Sequence, residues 1–498
     1  MSQIKKATFL SYINIVLTNG IGLFLTPFII RTLGNSEYGL YTLIGSFVAY
    51  LSLMDFGLNN SIIRFVSKYR VENRKEDEKF FLGSIMIIYF LISMVILFVG
   101  LIIYFQIDTV FNKSLHPDQV NDFKIMFLIL VFNMCIAVPG GSFIGICSAY
   151  EEYVFPKILM ITKYLLRTIV VLTILKIGKK SISLVIVDTV FSLLVIGITF
   201  YYCLVKLKIK FSFKERNFEN YKLIFSYSVW IFFIGIIQSF QWNTGQVILG
   251  MNLNTEKVAV YSVGIMLGGY FGTFSGVINN LLLPKAAKIS NDENSVLRIN
   301  SDMIFIGRIN SFISFLILSL FVLIGKEFIL LWIGKVYIKS WEIAVLIMIV
   351  TFIPMLQSLG VSILEIRNKV KYRSLCMLVS MSLAVLISSF LVKDYGINGV
   401  LFPILIGMLI NIIINNILFV KHFDFNFINF FKKTIFIQLI YASLLIILFN
   451  SLKNYFPISS WLSLFVFAIV FAIVFVIVFV LLVFNDQEKK IIKFDKIC

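Results

Sequence analysis

LGNSEYGLYTLIGSFVAYLSLMDFGLNNSIIRFVSK, residues Leu33 to Lys68, decides how the rest of the chain is read. A polar corner (Gly34, Asn35, Ser36, Glu37) opens into a long apolar helix that carries Asp55, Gly57, Asn59 and Asn60 and closes on Arg64 and Lys68. About 220 residues later the pattern returns: Asn254-Thr255-Glu256 leads through Tyr261 to Gly276, Asn279, Asn280, Pro284, Lys285 and Lys288. Tyr41 aligns with Tyr261, Gly57 with Gly276, and Asn60 with Asn280. A second echo joins Ser148–Lys206 to Leu364–Lys421, with a polar junction, a span, a short turn, a span and a basic exit in each. Two echoes at nearly one offset predict a duplicated six-helix unit, and internal symmetry of this kind is common in transporters.

Composition sets the solvent. Hydrophobic residues make up 59% of the chain and charged residues 14%, against roughly half and a quarter in a soluble domain. Apolar runs of about 20 residues recur from end to end, each long enough to cross a hydrocarbon core. The fold class expected is an all-α polytopic membrane protein of about fourteen transmembrane helices. The spans are 8–30, 39–63, 80–105, 123–148, 155–176, 181–205, 223–250, 257–283, 302–325, 340–364, 373–392, 397–420, 433–450 and 460–484. The first run follows Lys5 and Lys6, continues past Pro27 and has no small-residue cleavage site, so it reads as a retained span.

The net charge of +18 would suggest nucleic acid in a soluble protein. Here the cations lie mostly in loops, where they set orientation and meet anionic membrane lipid, and nucleic acid is not expected. With both termini cytoplasmic, 29 of the 44 Lys and Arg residues fall on inner loops and tails, above all at Arg64–Lys79 and Lys206–Lys222. The turn Lys176–Lys180 and the loop Lys326–Lys339 run against that bias. Residues 1–210 and 211–425 are then two pseudo-symmetric six-helix lobes in one orientation, followed at 426–498 by two extra transmembrane helices and a basic cytoplasmic tail. Five scattered cysteines make no CxxC or Cys/His cluster, and no P-loop, H-E-x-x-H or G-x-S-x-G motif occurs. No metal, cofactor or enzymatic activity is expected.

Polar groups at span depth are the candidate site residues. Lys163 and Arg167 share one face of the fifth span. Intramembrane cations are costly and normally face protein interior or water; these suit an anionic head group, with a buried ion pair to Asp188 as the structural alternative. Arg308 either faces a cavity or snorkels to the surface. Asp55 and Asp188 are coupling-ion candidates, Asp55 alternatively forming a structural pair with a base such as Arg64. Gln238, Gln241, Asn243, Gln246, Asn59, Asn60, Asn279 and Asn280 could line a hydrated, sugar-binding cavity or bond helix to helix.

The corner LGNSEYGLY (Leu33–Tyr41) followed by DFGLNNSIIR (Asp55–Arg64) resembles the Wzx-type polysaccharide and O-antigen flippases of the multidrug/oligosaccharidyl-lipid/polysaccharide exporter superfamily. The resemblance implies a V-shaped pair of lobes in a bacterial inner (cytoplasmic) membrane. It implies translocation of an undecaprenyl-diphosphate-linked oligosaccharide by alternating access, coupled to protons or sodium ions, and contacts with a glycan polymerase and chain-length machinery. The second half departs from the pattern: Met251-Asn252-Leu253 replaces Leu-Gly, and Phe274 sits near the position equivalent to Asp55. Two other classes stay open. A multidrug exporter would favour acidic cavity groups, and a glycan polymerase would carry a large outer loop.

Overall fold

The computed structural model describes residues 3–178, 180–213, 232–290, 295–367, 370–485 and 488, with side chains at all of these except 4, 5, 274–290, 295–297 and 370. All regular structure among the described residues is helical. The helices are α1 (Gln3–Leu33), α2 (Asn35–Ser52), α3 (Leu58–Val71), α4 (Lys75–Phe111), α5 (Pro117–Ala149), α6 (Val154–Lys176), α7 (Ser181–Val205), α8 (232–242), α9 (Thr244–Asn252) and α10 (Thr255–Ser290). There follow α11 (Ser295–Trp332), α12 (Ile338–Leu356), α13 (Ser358–Ile366), α14 (Val370–Tyr395), α15 (Ile397–Phe423), α16 (Phe427–Phe431), α17 (Ile437–Tyr455) and α18 (Trp461–Val478).

Twelve stretches among the described residues are long and apolar enough to cross a membrane. A helix satisfies its own backbone groups, which is why hydrocarbon selects it. Of the other two expected spans, 223–250 falls partly outside the described residues, and 257–283 lies within α10, whose side chains from 274 onward are not described. The chain divides into two compact units, Met1–Ala259 with Val385–Val400, and Val260–Ala384 with Leu401–Cys498.

In the first unit α5 is central and packs against α2, α3, α4 and α7, while α6 packs on α1 and α7. Phe47 of α2 meets the buried rings of Phe123 and Phe127 edge-on, at 5.8 and 5.7 Å between centroids. The polar corner is the fastening of this unit. Ser36 Oγ lies 2.9 Å from Thr255 Oγ1 and accepts from Gln119. The two echoed corners, Asn35-Ser36-Glu37 and Asn254-Thr255-Glu256, therefore touch. Glu37 accepts the backbone N–H of Ser181 at 3.2 Å and the Ser181 hydroxyl, so it caps the positive end of α7. A Cβ on Gly39 would lie 1.8 Å from the Thr255 carbonyl oxygen, so only glycine allows the approach.

The expected continuous span 39–63 is interrupted. After Ser52 come a single 3₁₀ turn, Leu53–Asp55, and then Phe56 in the left-handed region at φ 50°. The Asp55 carboxylate holds the break: Tyr89 Oη donates to it at 2.7 Å, and the N–H groups of Gly57 and Asn59 lie against it.

In the second unit α11 packs on α12, α17 and α18. Its polar groups are largely spent on one another. Gln357 Nε2 donates to Asn416 Oδ1 at 2.8 Å, Arg373 Nε to Asn415 Oδ1 at 2.9 Å, and Ser380 Oγ to Asn411 Oδ1 at 2.6 Å. Interhelical bonds of this kind are worth around 0.6 kcal/mol each in membranes. On α18, Leu464, Phe471 and Phe475 are buried while Leu462, Phe465, Ile469 and Ile473 point outward, an apolar face suited to acyl chains.

Candidate functional site

Lys163 and Arg167 lie on α6, nine residues from Val154 and nine from Lys176 respectively, which sets each about 14 Å from the nearer end of the span. Four residues apart, they point the same way, one turn above the other. α7 returns beside α6 and brings Asp188 to that face; α2, anchored by its corner, brings Tyr41. Tyr41 Oη donates to Asp188 Oδ2 at 2.9 Å. Arg167 Nη2 donates to Tyr41 Oη at 3.0 Å and to Asp188 Oδ2 at 3.1 Å, and Arg167 Nε bonds Asp188 Oδ1. The guanidinium thus makes a two-toothed ion pair, and the phenol bridges its members.

The charge balance is uneven. Arg167 and Asp188 cancel; Lys163, half-buried, has no hydrogen-bond or ion-pair partner among the described residues, though it lies within electrostatic range of both. The cluster carries one surplus positive charge. Asp188 is also 34% exposed in its side chain, against 14% for Arg167, so the cluster is open on the carboxylate side.

The remaining sequence-derived residues fall elsewhere. Gln246 of α9 accepts from Ser46 of α2, beside a Tyr50–Thr244 hydroxyl contact. Gln241 and Asn243 are half-buried at the α8–α9 junction, and Gln238 is exposed. Asn59 packs against Gly145 of α5, and its Oδ1 is buried without a hydrogen-bond partner among the described residues; Asn60 is exposed. Asn279 and Asn280 lie on α10, and their side chains fall outside the described residues. Asp55 binds Tyr89 as above. Arg308 is buried in the second unit, paired with Glu488, and donates to the Lys433 and Val483 carbonyls at 2.6 and 2.8 Å. Those partners brace α11 against the chain around α17 and α18.

Sequence reading missed the role of Tyr41. The residue was marked by the repeat, but its partners stand 126 and 147 positions away. Its repeat mate Tyr261 is buried, and its hydroxyl has no hydrogen-bond partner among the described residues, so the two echoed tyrosines are not equivalent.

Residues 4–290, more than half of the chain, match a family described as polysaccharide biosynthesis protein. The chain belongs to that family. This polysaccharide biosynthesis protein is 22% identical over 380 residues, 75% of its own chain and 87% of the relative, to a Shigella flexneri protein named as an O-antigen transporter. It is 21% identical over 294 residues, 56% of the chain and 57% of the relative, to the uncharacterized membrane protein EpsK of Bacillus subtilis. Among solved structures it resembles the lipid II flippase MurJ in an inward closed conformation, with TM-score 0.66, 16% identity, and 95% of this chain and 98% of that one covered. It also resembles an inward-facing multidrug MATE transporter of the MOP superfamily, with TM-score 0.61, 14% identity, and coverage of 81% and 94%. The family member therefore has the fold these transporters share and is a multi-pass membrane protein.

Proposed function

We propose that this chain is a flippase that carries an undecaprenyl-diphosphate-linked oligosaccharide across a bacterial cytoplasmic membrane by alternating access. The observation that carries the reading is the surplus positive charge of the Lys163–Arg167–Asp188–Tyr41 cluster at mid-span. A carboxylate open on one side at that depth cannot face lipid cheaply, so the open side is water or ligand. Lys163 is the free charge that first meets a diphosphate. Arg167 is oriented by Asp188 and Tyr41, and its planar fork fits phosphate as well as carboxylate. Diphosphate and Asp188 then compete for one guanidinium. A proton or sodium ion on Asp188 would release Arg167 to the substrate, and its departure would restore the pair; that is the coupling step we assign to Asp188. Gln241, Asn243 and Gln246 serve the sugar. Asp55 and Arg308 are better suited by their partners to holding the helix break and bracing the second unit.

The reading includes fourteen spans in two six-helix lobes with two C-terminal helices, both termini in the cytoplasm, and transport without bond-making chemistry. The likeness to a multidrug transporter favours a second reading at the level of fold, export of organic ions, but a cluster of net positive charge repels cationic cargo. The experiment is export in cells carrying Lys163→Ala, Arg167→Ala, Arg167→Lys and Asp188→Asn at equal expression. Surface glycan should fall and lipid-linked repeat units accumulate in both Ala variants. Normal export by both would remove the cluster from the mechanism.

A further inference from the structure

Far from this cluster, the first unit holds a cleft of about 490 Å³ lined by Arg70, Asn73, Lys75, Glu78, Lys79, Tyr150 and the stretch Leu207–Lys210. Five cations and one carboxylate line it, a net +4. It sits where four spans end together: the close of α3, the start of α4, the close of α5 and the close of α7. The charge pattern of the loops assigns that end to the cytoplasm.

The cleft is built rather than incidental. The chain after α7 is tied to α4 by the Ser212 N–H donating to the Lys79 carbonyl at 3.1 Å. A Cβ on Gly83 would lie 1.9 Å from the Ser212 oxygen, so the strap closes only over glycine. Ile209 is buried, while Lys208 and Lys210 on either side are exposed. The floor is locked: Arg70 lies over the Tyr150 ring at 3.9 Å and donates to the Ala149 carbonyl at 2.9 Å, and the Tyr150 hydroxyl donates to buried Glu78. Lys208 has φ 53° and Asn73 φ 55°. A lysine held in the left-handed region is strained, and strain of this kind collects where geometry serves a ligand. Among the described residues the ammonium groups of Lys75, Lys208 and Lys210 have no ion-pair or hydrogen-bond partner, whereas Lys79 is paired with Glu76. The fixed floor is thus balanced, and the rim is not.

We infer that this cleft is a binding site for the phosphate head group of an anionic membrane lipid, with Arg70 as its fixed contact and Lys75, Lys208 and Lys210 closing on it. Lysine suits phosphate as a mobile point charge. The volume is in the range of small-ligand sites. The apolar neighbours decide for a lipid over a soluble anion: Val71, Val205 and Phe213, within three residues of the lining in the chain, are all more than half exposed and offer acyl chains a surface. The inference does not depend on what the protein transports.

The test uses the full chain in neutral detergent, titrated with pyrene-labelled phosphatidylglycerol, with labelled phosphatidylcholine as the control and inorganic diphosphate as the soluble phosphate. The variants are K75Q/K208Q/K210Q and, at equal net charge, K113Q/K335Q/K393Q. Saturable binding of phosphatidylglycerol alone, weakened about tenfold or more in the first variant and unchanged in the second, is expected from the contribution of each lysine near an anionic head group. Weak displacement by diphosphate assigns the site to the lipid. Displacement as effective as that by unlabelled phosphatidylglycerol means that free phosphate is an equal source and overturns the lipid assignment. Equal loss in both variants, or no loss in the first, overturns the site.

Discussion

Removing Asp188 and Arg167 singly and together measures whether the cluster acts as one unit. In Asp188→Ala the guanidinium keeps only the Tyr41 oxygen; in Arg167→Ala the carboxylate keeps only the Tyr41 hydroxyl. Stripping one partner from a fully buried pair costs roughly 3–5 kcal/mol. Asp188 is 34% exposed, and a chain unfolded within a membrane finds substitute partners, so we expect about 1–3 kcal/mol for each single variant. The double variant leaves neither member of the pair without the other and should be less destabilised than the sum by at least about 1 kcal/mol. For a chain of this length 1 kcal/mol corresponds to about 1–2 °C of melting temperature, extrapolating from smaller domains. The assay is thermal unfolding in detergent, with Tyr41→Phe as a third arm expected to lose about 0.6–1.7 kcal/mol, within the range of membrane hydrogen bonds. Additivity of the two Ala variants to within about 0.5 kcal/mol would refute the claim that the pair is a coupled unit.

Lys163→Ala should leave the melting temperature within about 1 °C, since the ammonium has no hydrogen-bond partner to lose, yet reduce export about tenfold, with Lys163→Arg recovering most of it; export and melting curves on the same preparations check both. Asp188→Asn should bind inorganic diphosphate about tenfold more tightly than the native chain by calorimetry, because the guanidinium is released; unchanged affinity would separate Asp188 from substrate competition. Arg308→Ala should cost roughly 3–5 kcal/mol by leaving the buried Glu488 carboxylate without its cation, and Arg308→Met with Glu488→Leu should restore much of it in the same unfolding assay. Gly39→Ala should lower the yield of folded protein, judged by size exclusion, because its methyl group overlaps the Thr255 carbonyl.

The helices were legible because hydrocarbon leaves few alternatives: an apolar run of the right length becomes a helix whatever its neighbours do. Where the reading was coarser, a distant side chain decided. Residues 39–63 read as one helix, since nothing in that stretch announces that Tyr89, 34 positions on, will bond Asp55 and stabilise a left-handed Phe56. The intramembrane charges were visible as anomalies of composition, but their pairing was not. Arg167 and Lys163 are equivalent on a helical wheel, and only the placement of α7 gives Asp188 to the first and leaves the second without a bond. The amides show the same limit. Gln246 and Asn59 look alike in sequence, yet one is bonded to Ser46 and the other is wedged against Gly145 with a bare oxygen.

Within the repeat read from the sequence, the proposed function draws on the positions that differ. Ser36 and Thr255 hold equivalent places in their corners and lie 2.9 Å apart. Five residues after Ser36, Tyr41 is committed to Arg167 and Asp188; six after Thr255, Tyr261 is buried with no hydrogen-bond partner among the described residues. Phe274 likewise stands near the position equivalent to Asp55. The echoed polar corners meet as a fastening of the first unit. The parts that differ are ionisable or bonded to ionisable groups. On the proposed function, the passenger's charge need be met in only one place. The second unit does hold a cation–carboxylate pair, Arg308–Glu488, but it is buried and braces helices; a second cluster open on one side would add desolvation cost without adding a step. On this argument, transplanting the pair into the second half should lower stability and leave transport unchanged.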